Sequence, residues 1–160
     1  VATIQVDRNM PERFDLSCIN EDGEKERVVM LHAAIMGSIE RFMSVLIEHF
    51  AGAFPVWLHP VQVKIIPIGL DQYEYAHEIH NKLLNLGIRA EGDARNETLN
   101  ARIRDAQVEK VPYMLIIGKR EAENGSVSVR LRTEENLGEI PIDQFVNRIL
   151  PIINNKTSDL

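Results

Sequence analysis

The run Tyr113-Met114-Leu115-Ile116-Ile117 is the stretch that most constrains how this chain folds. Its five residues are all apolar, without the polar alternation of a strand that has one face in water. An unbroken apolar run is typical of a strand buried on both faces of its sheet. The sequence around it must therefore supply a layer of structure on each side.

The flanking sequence supplies those layers by alternating between strand and helix patterns. A capping box of Asp71 with Glu74 predicts the start of one helix, and Gly87 predicts its end. Asn96 or Thr98 is predicted to cap the next helix. The predicted segments are strands at 61–67, 88–91, 113–117 and 126–132, a hairpin turn at 123–125, and helices from Asp71, around 99–106 and from Pro141. The order βαβαββα predicts an α/β fold with a mixed sheet flanked by helices.

Residues 1–36 alternate in β fashion. Three strands are predicted, at Thr3–Asp7, Phe14–Ile19 and Arg27–His32. Three antiparallel strands with nothing to cover them do not make a domain. We expect them to be the last strands of a larger sheet, and the chain to begin inside a longer protein.

A helix is predicted from Ser38, which can serve as its N-cap. Its apolar stripe consists of Ile39, Phe42, Met43, Leu46 and Phe50. Gly52 and Pro55 are predicted to end it. The adjacent Glu40 and Arg41 are expected to be a nearly buried pair. The Pro-bracketed segment 54–60 predicts a boundary between domains at 1–55 and 60–155.

Composition limits the possible environments. A single cysteine, Cys18, excludes an internal disulfide framework and fits a reducing compartment such as the cytoplasm. No apolar run reaches the length of a membrane span. The net charge is −6, yet residues 95–133 hold eight Lys/Arg against five Asp/Glu. That distribution permits a selective site for a polyanion and argues against unselective nucleic-acid binding.

Six segments and one histidine carry a family resemblance in matching order: Thr3–Asp7, Pro11–Leu16, His32, Gly37–Phe42, Ala51–Leu58, Pro60–Val63 and Val111–Leu115. Together they closely resemble the threonyl-tRNA synthetases, which are class II aminoacyl-tRNA synthetases. The resemblance implies that residues 1–55 are the tail of a class II catalytic domain with its third signature motif. It implies that residues 60–155 are a C-terminal anticodon-binding domain.

The resemblance assigns active-site roles in the first part. Arg41 matches the signature arginine that clamps the ATP phosphates, together with Mg²⁺. Gly37 and Ser38 match positions where the backbone passes close to the adenylate, and Gln5 matches a contact to threonine or adenylate. His32 matches a ligand of a Zn²⁺ that reads the threonine amino and hydroxyl groups. A catalytic zinc needs about three protein ligands, so the others are expected upstream.

In the second part, the resemblance implies that Asn96, Glu121 and Arg130 contact the anticodon of threonine tRNA. It implies that Arg132 supplies positive charge near the RNA backbone. Such amide, carboxylate and guanidinium groups can bond the edges of unstacked RNA bases. The family resemblance also implies a homodimer in the full-length enzyme and no membrane partner. His77 and His80 are expected to be an ordinary solvated helix face.

The chain departs from the family pattern at Arg8, Ala33 and Thr98. Ala33 stands where arginine is common, and Thr98 where a lysine often follows Arg-Asn-Glu. Two alternatives stay open: a non-catalytic RNA- or protein-binding paralogue, and a sister enzyme for another amino acid. The retention of Gln5, His32 and Arg41 argues against the first. His32 as a zinc ligand argues against the second, since the sister enzymes do not use that metal site.

Overall fold

The computed structural model describes residues 2–160, and its contacts divide the chain into two compact units, Val1–His49 and Phe50–Leu160. We call these the first unit and the second unit. Within residues 2–160 we find no helix with the length and apolar character needed to cross a membrane.

The first unit holds two separate antiparallel strand pairs, β1 with β4 and β2 with β3. Its elements are β1 (Thr3–Asp7), α1 (Asn9–Arg13), β2 (Ser17–Ile19), β3 (Lys25–Arg27), β4 (Met30–Ala34) and α2 (Ile39–Phe50), whose last residue falls in the second unit. The prediction of three strands was therefore wrong in detail. The Asp7 carboxylate accepts the backbone N–H groups of Asn9 and Met10, which starts a helical turn that the alternation did not indicate.

Almost all side chains of the first unit are exposed, and Pro11 is its one buried residue among those described. The predicted burial of Glu40 and Arg41 was wrong, because no layer within this unit covers α2. The apolar stripe of α2 is exposed for the same reason, with Ile39 at 65% and Met43 at 52%.

The second unit is built on one five-stranded mixed sheet in the order β6-β5-β7-β8-β9. Strand β5 is parallel to β6 and β7, while β8 is antiparallel to β7 and β9. The elements are β5 (Val63–Pro67), a 3₁₀ turn (Leu70–Gln72), α3 (Tyr73–Asn85), β6 (Ala90–Gly92), α4 (Leu99–Val108), β7 (Tyr113–Ile117), α5 (Lys119–Asn124), β8 (Ser126–Leu131), β9 (Asn136–Pro141) and α6 (Ile142–Asn154).

Strand β7 is buried on both faces, as its apolar run predicted. Tyr113, Leu115 and Ile117 pack into one core with α3 and α6, where the Tyr113 and Phe145 rings meet edge to face at 5.4 Å. Met114 packs on the opposite face against α4. The predicted mixed sheet flanked by helices is confirmed.

The helix ends were predicted with mixed success. Thr98 caps α4, since its hydroxyl accepts the Ala101 N–H. Gly87 follows α3 with a φ of +76°, a left-handed conformation that favours glycine. The capping box of Asp71 with Glu74 was wrong, because Gln72 instead reaches back to the Gly69 N–H at the start of the 3₁₀ turn.

Two elements of the second unit were absent from the sequence prediction. Helix α5 fills much of the connection that was predicted as a hairpin turn. Strand β9 was missed because its alternation is interrupted, with Gly138 at a φ of +77° and a register shift at Val129/Arg130.

The segment before β5 packs onto the second unit through its carbonyl groups. Three side chains donate to them: Arg132 to Phe54, Gln62 to Val56, and Arg89 to Trp57 and His59. Val56 itself is fully buried in the core. This segment is part of the folded second unit and is not a loose linker.

Glu139 ties β9 to α5 and to β8. Its carboxylate accepts hydrogen bonds from Asn124 at 2.9 Å, Ser126 at 2.6 Å and Arg120 at 2.7 Å. These hydrogen bonds lower the pKa of Glu139 from its ordinary 4.5 to about 2. The ionised form therefore stabilises the folded state.

We predict that Glu139→Gln lowers the free energy of unfolding at pH 7, and that its deficit shrinks as pH falls from 4.5 towards 2. A carboxyl group with a depressed folded-state pKa stabilises above its unfolded pKa and loses that contribution in acid. Urea unfolding followed by the single tryptophan, Trp57, measures this. The control is Glu135→Gln, at an exposed glutamate nearby. A deficit independent of pH would contradict the prediction.

Candidate functional site

The carboxyl ends of β5, β6 and β7 form one edge of the second unit. The connections from β5 and from β6 run to opposite faces of the sheet, because α3 packs in one core and α4 in the other. In open α/β sheets, ligands bind beyond the carboxyl ends of the strands where the strand order reverses. The segments that follow these three strands are therefore the first place to look for a binding site.

Asn96 lies in the segment between β6 and α4. It lines a cavity of about 510 Å³ together with Ile68, Leu70 and Arg102. Leu70 is 81% exposed, and Asn96 is exposed as well. The cavity thus offers an amide beside apolar side chains, which suits a planar base that both stacks and hydrogen-bonds.

Glu121 lies in the first turn of α5, directly after β7. Its Oε2 accepts the Gly118 N–H at 3.0 Å, so its carboxylate caps the helix. A Cβ on Gly118 would lie 2.8 Å from this oxygen and 3.1 Å from Ile68 Cδ1, so the glycine permits the close approach. Ile68 connects this helix start to the cavity that Asn96 lines.

Arg130 lies in β8 directly opposite Met114 of β7, so both side chains are on the sheet face that α4 covers only in part. On the same face, Ser128 lies opposite Ile116, nearer to the edge with Glu121. The buried Nε of Arg130 has no hydrogen-bond partner among the described residues. The structure thus places Asn96, Glu121 and Arg130 at one edge and the adjoining face of the same sheet.

Arg132 is not brought together with these three. It lies beyond the end of β8, where its backbone N–H bonds Pro112 before β7 begins. Its guanidinium donates to the Phe54 carbonyl at 2.5 Å, and burial lowers its pKa.

In the first unit, Gln5 and His32 are direct partners across the β1–β4 pair. The His32 Nε2 lies 3.0 Å from Asp7 Oδ2, and the other Asp7 oxygen accepts two backbone N–H groups. These hydrogen bonds, of which the Met10 N–H makes the largest contribution, lower the pKa of Asp7. One ring nitrogen of His32 is held in this way.

The arginine of the first unit lies one turn into α2. The Ser38 hydroxyl accepts the Arg41 N–H at 3.3 Å and donates to Glu40 at 2.9 Å, so Ser38 is the N-cap as predicted. Gly37 lies in the bend just before it. Arg41 is exposed and makes no ion pair with any residue from 2 to 160. A free guanidinium at a helix N-terminus is well placed to bind an anion.

The described residues contain no group of three His, Cys, Asp or Glu side chains that could hold a metal ion. His32 with Asp7 nevertheless matches the usual form of a metal-binding imidazole, whose second nitrogen bonds a carboxylate. That His32 is a metal ligand stays a prediction. The prediction of a solvated helix face was wrong for His80, which is part-buried and bonds the Ala90 carbonyl. His77 is exposed and bonds Asn81.

Sequence reasoning missed several residues that hold the candidate site residues in place. Asp7 follows Gln5 by two positions and so shares its strand face. Asp93 precedes Arg95 by two residues, a spacing that allows a local turn. Arg102 lies next to Ile103 on the buried side of α4, although it is a charged residue.

Comparisons with known proteins agree with this arrangement. A family model described as an anticodon binding domain matches residues 62–151. The chain belongs to the anticodon-binding domain family. The model of the class II tRNA synthetase core domain (G, H, P, S and T) matches residues 1–50, ahead of the anticodon-binding domain.

The resemblance to threonyl-tRNA synthetases is confirmed by curated relatives. The chain is 56% identical over 154 residues to a threonine–tRNA ligase of Acetivibrio thermocellus, covering 96% of this chain and 24% of the relative. The corresponding ligase of Thermus thermophilus is 53% identical over 150 residues, covering 94% and 23%. The chain thus spans about a quarter of the length of these relatives.

Solved structures agree as well. The RNA binding domain of threonyl-tRNA synthetase from Cryptosporidium parvum superposes with a TM-score of 0.82 at 32% identity, covering 99% of this chain and 40% of that one. Prolyl-tRNA synthetase from the same organism gives 0.69 at 25% identity, covering 96% and 33%.

We predict that Glu121→Ala destabilises the anticodon-binding domain by about 1 kcal/mol, because the Gly118 N–H loses its cap. Glu121→Gln keeps an acceptor oxygen and should retain most of that stability. Urea unfolding with Trp57 fluorescence gives both values. The control is Glu123→Ala on the same helix, where only an exposed pairing with Lys119 at 3.8 Å is lost. Equal effects of Glu121→Ala and Glu123→Ala would contradict the capping role.

Proposed function

We propose that this chain is part of a threonine–tRNA ligase. Residues 60–155 bind the anticodon of threonine tRNA, and residues 1–55 contribute one wall of the site that activates threonine with ATP. The observation that carries the proposal is the placement of Asn96, Glu121 and Arg130 at one edge and face of a domain whose family binds anticodons.

Each of the three side chains has a chemistry suited to RNA bases. The Asn96 amide both donates to and accepts from a base edge, and Ile68 and Leu70 beside it provide apolar surface for stacking. Glu121 accepts from exocyclic amino groups through its oxygen that does not cap α5. The Arg130 guanidinium, on the face that α4 covers only in part, can stack on a base or bond its edge. Arg132 adds positive charge while bound to Phe54.

In the first part, Arg41 binds the phosphates of ATP. A guanidinium is always charged and can grip a phosphate with two parallel hydrogen bonds. Mg²⁺, when bound, neutralises further phosphate charge. Ser38 caps the first turn of α2 and so fixes the backbone position of Arg41. Gly37 lets the backbone pass close to the adenylate.

Gln5 and His32 line the part of the pocket that receives threonine. Zn²⁺, when bound, supplies a Lewis acid for the amino and hydroxyl groups of threonine. His32 provides one ligand, and Asp7 orients its ring by holding one nitrogen. We propose that the other ligands belong to a longer protein, which acts as a homodimer in the cytoplasm.

We predict that Asn96→Ala and Arg130→Ala each weaken binding of threonine tRNA to this chain by about 1–3 kcal/mol, as expected for lost base contacts. A filter-binding titration at fixed salt measures this, using transcripts with the threonine anticodon and with a swapped anticodon. The wild-type chain should prefer the first transcript.

Matched controls come from the opposite side of the sheet. Asn85→Ala at the end of α3 and Arg148→Ala on α6 remove the same groups at exposed positions. They should bind within twofold of wild type, a difference of about 0.4 kcal/mol. Equal affinity of the wild-type chain for both transcripts would contradict the anticodon-reading function and favour a general RNA- or protein-binding module.

We predict that the 160 residues alone show no threonine-dependent ATP–pyrophosphate exchange. Gln5, His32 and Arg41 are exposed within the first unit, so nothing in it excludes water or encloses a substrate. Exchange above the level of an Arg41→Ala variant would show that this chain holds a complete site.

A further inference from the structure

The segment between β6 and α4 is held by a buried carboxylate. The Asp93 side chain is 1% exposed, although its neighbours on the segment are exposed. Its backbone N–H bonds the Ile65 carbonyl at 2.8 Å, next to the end of the β5–β6 ladder. Burial of an ionised group is costly unless it is paired and hydrogen-bonded. Asp93 therefore needs partners that stay in place.

The partner of Asp93 is Arg95, two residues along the chain. Asp93 Oδ1 accepts from the backbone N–H of Arg95 at 3.1 Å and from its Nε at 3.0 Å, while Oδ2 accepts from Nη2 at 2.8 Å. This is a two-pronged guanidinium–carboxylate pair closed by a backbone hydrogen bond. The bonds from Arg95 lower the pKa of Asp93, and those to Asp93 and Asp105 raise the pKa of Arg95.

Helix α4 anchors the same pair from the other side. Arg95 Nη1 donates to Asp105 at 2.8 Å and lies 3.4 Å from Glu97. Arg102, only 3% exposed, donates through Nη1 to the Asp93 carbonyl at 3.2 Å. The backbone of the segment is thus fixed at both ends. We call the set Asp93, Arg95, Arg102 and Asp105 the loop clamp.

Asn96 is the residue that the loop clamp presents. It directly follows Arg95, it is exposed, and no described residue bonds its side-chain amide. Three carboxylates surround the Arg95 guanidinium and compensate its positive charge. Arg95 therefore has the surroundings of a structural residue, and Asn96 those of a contact residue.

We propose that Asp93 and Arg95 are positioning residues that hold Asn96 in its base-reading position before tRNA arrives. The inference rests on the proposed function of anticodon binding. Ordering a loop during binding reduces affinity, so a loop ordered in advance binds more tightly and discriminates better. The two residues act without touching the RNA.

The test compares Arg95→Lys and Asp93→Asn with wild type in tRNA filter binding over a range of salt concentrations. Lysine keeps the charge and loses the two-pronged geometry. We expect both variants to bind threonine tRNA about twofold to tenfold more weakly, the effect of having to order one side chain on binding. The slope of log Kd against log salt should stay that of wild type, because no phosphate contact is lost.

Hydrogen exchange provides a second readout that does not depend on RNA. In both variants, the amides of residues 94–98 should exchange faster than in wild type, while those of β7 should not change. The control is Arg104→Lys, an exposed arginine on the same helix, which should match wild type throughout. Urea unfolding with Trp57 fluorescence verifies that each variant is folded. If Asp93→Asn does not fold, Arg95→Lys alone provides the test.

The possible failures are distinguishable. If Arg95→Lys binds as wild type while Arg95→Ala lowers the salt slope by about one, Arg95 is a direct phosphate contact and the inference is wrong. Unchanged affinity and exchange in folded Asp93→Asn and Arg95→Lys would also overturn it. If wild type itself fails to prefer the threonine anticodon, the proposed function fails instead.

Discussion

The burial of β7 between two layers of helices is the constraint on which the second unit depends. Its odd-numbered residues need α3 and α6, and Met114 on its other face needs α4. Those helices can lie on opposite faces only if the connections out of β5 and β6 run in opposite directions. That reversal leaves the carboxyl edge of the parallel strands open, and Asn96 and Glu121 lie there.

The second face of the sheet is covered unevenly, and this has chemical consequences. Helix α4 packs over Ile66 and Met114, and among the described residues this buried cluster includes none from β8 or β9. The strand positions beyond α4 therefore carry Ser128 and Arg130 rather than aliphatic side chains. A half-covered sheet combines a rigid apolar base with polar groups at its surface, which is the combination that reading unstacked bases requires.

Much of this architecture could be predicted from the sequence, because apolar periodicity determines which segments must be buried. The run Tyr113–Ile117 predicted its own strand and the two-sided core. Strand β9 could not be predicted, since a glycine and a register shift interrupt its pattern. Asp7 and Asp93 escaped notice for a different reason. Their importance lies in hydrogen bonds across folded segments, and a single exposed-looking aspartate gives no sign of its partners.

The packed carbonyl groups before β5 have a consequence for how the second unit can be isolated. Arg132, Gln62 and Arg89 together satisfy four acceptors between Phe54 and His59. A shortened chain starting at Pro60 would keep all five strands but strip these three donors of their acceptors and remove Val56 from the core. A shortened second unit that keeps these contacts therefore begins at or before Phe54, several residues ahead of the first strand of its sheet.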